Sequence, residues 1–254
     1  MQIHPDEWLI PVWPAPPRVR AVCTTRDGGS SVGRYAGLNL GLHVGDEPAS
    51  VHSNRGRLQQ ALGVRPVFLD QVHGTTMLEL NPLTQDGCAA DGAFTLSAGV
   101  ACTAMVADCL PVLLCDAQGL QVAAAHAGWR GLLGVQGQGV LESAVAVFPQ
   151  GVPLLAWLGP CIGPEAFEVG DEVRAAFVAE LPQTDALFHH KSPGKWLADL
   201  PGLARQRLAA MGLTHIFGND GSAPWCTVGN ASRFFSHRRD GVSGRMAACI
   251  WLGD

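Results

Sequence analysis

The chain has 254 residues, a net charge of −5 and eight cysteines. That length can bury a full core without a covalent staple, and an acidic balance with no basic run longer than HRR argues against a nucleic-acid surface. No apolar run reaches the roughly 18 residues of a membrane span, and the opening MQIHPDEWLIPVWPAPP lacks the basic and apolar regions of a secretory signal, so a cytoplasmic protein is expected.

In chain order, RVRAVCTTR (18–26) alternates and carries β-branched residues, which predicts a strand. RDGGSSVGRYAGLNLGLHVGDEP follows, too rich in glycine for regular structure throughout, and long loops of this kind usually serve function. PASVHSNRGRLQQALG (48–63) predicts a helix with Pro48 near its start and Gly63 at its end. PVFLDQVHG (66–74) reads as a strand running into a turn at Gly74. GVACTAMVADCLPVLLCD and QVAAAHAG lie on either side of a turn at 117–119 and read as neighbouring buried strands. WRGLLGVQGQGVLESAVAVF (129–148) is expected to be a helix despite its glycines, and LLAWLGPCIGP (154–164) a strand ending in a tight Gly/Pro loop. EVGDEVRAAFVAEL (168–181) and ADLPGLARQRLAAMG (198–212) space Ala, Leu and Arg as amphipathic helices. RFFSHRRDGVSGRMAACIWLG (233–253) reads as two strands around a Gly-containing turn. Helices and strands mix without a strict βαβ repeat. The expected class is α+β, one domain over residues 1–254, with a mixed β-sheet core flanked by helices.

The cysteines lie at 23, 88, 102, 109, 115, 161, 226 and 249, and no pair has CxxC spacing. In a reducing compartment the default cysteine is a small buried hydrophobe. Cys109 stands apart because Asp108 precedes it and Pro111 follows within MVADCLPVLLCD. His73 in DQVHG, Cys109 in VADCLP and His126 in AAAHAGWRG each end an apolar run, close to a residue that stops or redirects a strand (Gly74, Pro111, Gly128). Strand ends meeting at one sheet edge can pool their side chains in one pocket. Two imidazoles and a thiolate match the ligand preference of zinc, and three protein ligands with an open fourth position is the catalytic arrangement. The spacings (109 − 73 = 36 and 126 − 109 = 17) predict no contact by themselves. Cys109 and His126 equally fit a nucleophile and its base, with Asp108 orienting the imidazole. Spacing does not separate the two chemistries, since both need the thiolate and the imidazole together.

Anion-binding signals are moderate. TTRDGGSS sets Arg26 beside two glycines and two serines, a pattern suited to an anion nest, although no P-loop is present. AGWRG sets Arg130 at an expected helix start. SHRRDG adds Arg238 and Arg239.

DQVHG, ADCLPVLL, AAAHAGWRG and LGPCIGPEAFEVG, together with CTTRDGG, LNLGLHVGD and FFSHRRDGVSGRMAACIWL, resemble the YfiH/YlmD-like family of laccase-domain proteins. Members are described variously as polyphenol oxidases, zinc-dependent purine nucleoside phosphorylases and peptidoglycan editing factors. The resemblance covers almost the whole chain; each motif alone is weak and the ordered set is specific. It implies a fold related to a Cys–His deamidase toxin, and one Zn2+ held by His73, Cys109 and His126. It implies phosphorolysis of adenosine, guanosine or inosine to the base and ribose 1-phosphate, with methylthioadenosine phosphorolysis and adenosine deamination beside it. Motif position makes Asn39, His43 and Gln71 the candidates for nucleoside contacts, and Arg26, Arg130 or the Arg238/Arg239 pair the candidates for phosphate. Where the family often has Tyr before the paired arginines, this chain has His237.

Two other readings stay open. One is a hydrolase with Cys109 as covalent nucleophile, or a peptidoglycan editing enzyme. The other is copper-dependent phenol oxidation. The chain lacks the multiple HxH clusters expected for several coppers, although a two-His-one-Cys site can take Cu2+, which outcompetes zinc in raw affinity. The expected partners are a small purine nucleoside and phosphate, with no nucleic acid and no membrane, and the expected state is a monomer.

Overall fold

A computed structural model describes residues 8–253; the first seven residues, which carry part of the N-terminal reading, and residue 254 lie outside them. β1 (Val19–Cys23) leads into the Gly-rich segment, which holds two short 3-10 turns and no longer element. α1 (Pro48–Leu62) follows and ends at Gly63 in the left-handed conformation. Then come β2 (Arg65–Val67), β3 (Met77–Glu79), β4 (Gly92–Thr95), β5 (Val100–Val106), β6 (Leu110–Asp116) and β7 (Val122–Ala127). The second half runs α2 (Trp129–Leu133), α3 (Val140–Ala146), β8 (Leu154–Leu158), β9 (Glu168–Gly170), α4 (Asp171–Glu180), β10 (Phe188–Ser192), β11 (Lys195–Ala198), α5 (Leu200–Ala210), β12 (His215–Gly218), α6 (His237–Asp240) and β13 (Met246–Leu252).

The long apolar runs are explained by burial on both faces. A four-stranded sheet, in the order β1-β13-β5-β2, lies against a six-stranded sheet, in the order β12-β8-β6-β7-β4-β3. In β5 and β13, Cys102, Ala104, Ala248 and Ile250 point between the sheets, where they meet Leu113, Cys115, Val122, Ala124 and Trp157. Alternate residues turn outward. Met105, Ala247 and Cys249 pack against Leu58 and Leu62 of α1. On the far side, Leu110, Val112, Leu114, Ala123 and Ala125 pack on α3, α4 and α5 through Leu141, Phe177, Leu203 and Leu208. The layers are therefore helix, sheet, sheet, helices, and a strand with two buried faces has no polar side to alternate with. A small third sheet, β10-β11-β9, completes an α+β fold of mixed sheets flanked by helices.

Four expectations need correction. The strand expected over 66–74 ends at Val67; beyond it only Asp70 pairs, through an isolated parallel bridge to Ala89, and the chain then turns out toward His73, whose φ is 61°. The helix expected over 129–148 is two short helices, because Gly134, Gln136 and Gly137 all take positive φ; a Cβ on Gly134 would stand 2.0 Å from the carbonyl oxygen of Gln138. Residues 168–170 form the strand β9 rather than the first turn of α4. At the C-terminus the second expected strand exists as β13, whereas RFFSHRRD does not pair. There Ser236 caps the short α6 by accepting from the N–H of Arg239 at 3.1 Å, a local bond that competes with extension.

Leu113 lies fully buried between the two large sheets. Leu113→Ala should cost about 2–5 kcal/mol of stability in urea unfolding. Leu120→Ala, at a residue 53% exposed, should change it by less than about 0.5 kcal/mol.

Candidate metal centre

Cys109 owes its place to a change of sheet. β5 belongs to the four-stranded sheet and β6 to the six-stranded one, and Ala107-Asp108-Cys109 is the corner between them. Asp108 turns that corner with φ 91°, a region where Asp is among the few tolerated side chains. Its carboxylate accepts from Thr227 Oγ1 at 2.5 Å and from the backbone N–H of Arg238 at 2.6 Å. His126 sits at the end of β7, in register with Pro111 at the start of β6. His73 arrives on the loop after β2.

One buried carboxylate joins two of these arrivals. Asp91, at the foot of β4 and 1% exposed, accepts the backbone N–H groups of Val72 (3.2 Å), His73 (2.8 Å) and Gly74 (2.6 Å). It also contacts His126 Nδ1 at 2.9 Å. Burial alone would raise its pKa. The hydrogen bond from His126 and those from Gly74 and His73 outweigh burial and hold it below the usual carboxylate value. An ionised carboxylate only accepts, so Nδ1 of His126 carries a proton, and Nε2, once it has given up its own, is the nitrogen left to ligate.

The ligating atoms of His73, Cys109 and His126 lie within 4.8 Å of one another. Cys109 Sγ is 3.7 Å from His73 Nε2, close to the roughly 3.5 Å separation of N and S ligands on a tetrahedral zinc. The two imidazoles meet edge to face with centroids 4.8 Å apart. The donor set therefore suits zinc, and also copper by raw affinity. Without a metal the same groups form an ion pair. Burial opposes charge on both, yet the His126 imidazolium and the bonds from both histidines bring Cys109 down to about 6. The Cys109 thiolate and Asp91 raise His126 to about 9. Gly128 supports the trio by having no side chain: a Cβ there would stand 2.8 Å from the His73 ring and 3.0 Å from Cys109 Sγ.

The trio forms part of the lining of a cavity of about 440 Å3. Met105, Trp129, Ile162, Phe167 and Leu200 supply apolar wall, and His43, Gln71, His237, Arg238 and Arg245 supply polar groups. Of the sequence candidates, His43, Gln71, Asp108 and Arg238 line this cavity together with the trio. Gln71 spends both ends of its amide on the backbone of Met105, at 2.8 Å each. Burial, then the neighbouring Arg245, pushes His43 below its ordinary pKa, which favours the neutral ring.

The remaining candidates lie elsewhere. Arg26 donates to the carbonyls of Ala231 (2.8 Å) and Ala36 (3.2 Å) and stacks on Phe235, so it ties loops together. Asn39 is fully buried and binds Gly41, Asp46 and the N–H of Arg245. Arg130 is exposed and lies over the Trp129 ring, outside the cavity. Arg239 is committed to Asp240 and to the carbonyls of Thr227, Val228 and Phe234. The carboxylate behind His126 is Asp91, whereas Asp108 pins Thr227 and α6. Sequence reasoning missed Asp91, whose AADGAF setting carries no signal, and Arg245, which stood unremarked inside SGRMAACIWL.

In chelator-treated protein, Cys109 should react with iodoacetamide with a rate that rises through about pH 6, and at pH 7 ahead of Cys115 and Cys249, which burial pushes up to about 12. A midpoint near the ordinary thiol value, above 8, would contradict the ion pair. Gly128→Ala should leave the fold intact and weaken metal binding by at least about tenfold, the scale of losses from disturbed ligand support. Competition against a chromogenic chelator measures this, and unchanged affinity would mean that the clash relaxes elsewhere.

The sequence pattern of the family described as multi-copper polyphenol oxidoreductase laccase matches residues 20–253. The chain is 50% identical over 253 residues to a purine nucleoside phosphorylase of Pseudomonas aeruginosa, covering 98% of this chain and 100% of the relative. It is 49% identical to the purine nucleoside phosphorylase YfiH of Escherichia coli, covering 96% and 98%. Among solved structures, a Neisseria meningitidis protein superposes with a TM-score of 0.90 at 44% identity, covering 98% of this chain and 100% of that one. YlmD from Geobacillus stearothermophilus superposes with 0.88 at 33% identity, covering 100% and 98%. Fold and sequence agree over nearly the full length, and the chain belongs to the laccase-domain family of YfiH- and YlmD-like proteins.

Proposed function

We propose that the chain is a zinc-dependent purine nucleoside phosphorylase that acts as a single domain in the cytoplasm. The observation that carries this reading is the His73–Cys109–His126 trio in the wall of a cavity that also holds two arginines and an apolar face. Relatives at 42–50% identity bear the name purine nucleoside phosphorylase. The substrates proposed are adenosine, guanosine, inosine and methylthioadenosine, with deamination of adenosine as a second activity at the same site.

In phosphorolysis a phosphate oxygen bonds to C1′ of the ribose while the C1′–N bond to the purine breaks. The electron pair leaves with the base, which is protonated as it departs. His73 Nε2, Cys109 Sγ and His126 Nε2 would hold the zinc, which when bound supplies a Lewis acid. Asp91 fixes the His126 tautomer and the backbone at His73. Trp129, Ile162 and Phe167 offer a planar base an apolar surface and exclude water. Arg238 and Arg245 lend positive charge to a cavity that would receive an anion.

A second reading has its own support. Cys109, His126 and Asp91 stand in the order of a nucleophile, a base and an orienting acid, with the thiol already biased toward thiolate. Metal content separates the two. Protein grown without added copper should carry about one zinc per chain, the count for a single three-ligand site. His73→Ala, Cys109→Ala and His126→Ala should each lose the zinc and the release of adenine and ribose 1-phosphate from adenosine and phosphate. Full zinc in all three variants would overturn the ligand assignment. Metal-free wild-type protein that keeps full activity would favour the cysteine nucleophile.

A further inference from the structure

The cavity needs an anion site if it binds phosphate, and among the four arginines weighed from the sequence only Arg238 reaches it. Arg245 reaches it as well, within the electrostatic reach of Cys109 and Asp108, and half of its guanidinium makes no hydrogen bond among the described residues. Its Nη1 donates to the carbonyls of Ser243 (2.9 Å) and Gly244 (3.1 Å) and to Ser243 Oγ (3.4 Å). Nε and Nη2 have no hydrogen-bond partner among the described residues. Neither nitrogen is fully buried, and the residue lines the cavity. The group is partly buried, which strengthens any charge–charge contact it makes.

A chain of hydrogen bonds holds the backbone of Arg245 in place. Its backbone N–H is fixed by Asn39 Oδ1 at 2.8 Å. Asn39 is fixed in turn by Asp46 at 2.9 Å, Asp46 by Ser31 at 2.6 Å, and Asn54 ties Ser31 at 3.0 Å to the Asn39 carbonyl at 2.9 Å. Gly41 leaves room for the arginine stem: a Cβ there would stand 2.8 Å from Arg245 Cγ. A largely buried polar network across the Gly-rich loop thus ends on the backbone of Arg245, whose side chain lines the cavity.

We propose that Arg245 anchors the inorganic phosphate of the reaction. A guanidinium with two free donors matches two oxygens of one phosphate as a fork, which an ammonium does not. The apolar wall formed by Trp129, Ile162 and Phe167 is left for the base. The proposal rests on the phosphorylase reading, and its test keeps the two apart.

The probes are inorganic phosphate in Hepes buffer at fixed ionic strength, with inosine as the nucleoside. Phosphate should raise the melting temperature of the zinc-loaded wild type in a concentration-dependent way, and that rise should vanish in Arg245→Gln. In kinetics, Arg245→Gln and Arg245→Lys should raise KM for phosphate roughly ten- to a hundredfold, the scale of one or two charged hydrogen bonds. KM for inosine should stay within about twofold and zinc content should not change. Unaltered KM for phosphate, or phosphate stabilisation retained in Arg245→Gln, overturns the assignment, as does a wild type that phosphate does not stabilise. Loss of zinc with the arginine also overturns it, since the residue would then serve the Cys109 thiolate. Phosphate stabilisation that depends on Arg245 in a protein without phosphorolysis would support the anion site and sink the phosphorylase reading instead. If Arg245→Gln fails to fold, Gly41→Ala decides: displacing the arginine stem should raise KM for phosphate, and no change overturns the proposal.

Discussion

A buried carboxylate must be paired, and the pairing of Asp91 is what the candidate site is built on. Three consecutive N–H groups, from Val72 to Gly74, turn toward it, and the ring of His126 closes the shell. An unpaired charge in that position would be far costlier than the geometry it imposes. The shell explains why His73 is held at φ 61°, a conformation few side chains adopt, with its ring beside that of His126. It also selects the His126 tautomer. Side chains 53 residues apart (126 − 73 = 53) are thereby brought to one point by a residue that is neither in the trio nor in the cavity lining.

The third member of the trio depends on a different constraint. β5 and β6 are consecutive yet belong to different sheets, so the chain must cross from one layer to the other within three residues. Asp108 makes the crossing by taking a positive φ, and its carboxylate binds Thr227 and the first turn of α6. The corner therefore brings Cys109 to the sheet edge and Arg238 to the cavity together. Gly128 then lets the chain pass close to His73 and Cys109 without a side chain between them.

The Gly-rich segment has a comparable logic. Apart from His43, the polar side chains of this segment do not line the cavity; Ser31, Asn39 and Asp46 satisfy one another and Asn54 of α1, and end on the backbone of Arg245. The motif LNLGLHVGD supplies one cavity residue, His43, and otherwise scaffolding. Conversely, the guanidinium groups of Arg26 and Arg239, both in motifs that looked like anion sites, are occupied by loop carbonyls. An arginine beside glycines reads the same in sequence whether its donors face a ligand or a neighbouring loop.

The sequence by itself determined the class of the fold and the main strands and helices, and it singled out the three side chains of the candidate metal centre. Apolar period and terminal Pro and Gly are local properties, so α1, α5, β7 and β13 were legible from the chain alone; His73, Cys109 and His126 were candidates by residue type and family resemblance, and their spacing carried no contact. Short strands such as β3, β9 and β12 were not, because three or four residues carry too little pattern and their partners lie far away in sequence. Only the tertiary structure decided which acid stands behind His126, which arginines reach the cavity, and that β5 and β6 part into separate layers. Each of these depends on contacts between distant segments, where hydrogen-bond satisfaction of buried groups and exclusion of a Cβ select one arrangement among many that the local pattern permits.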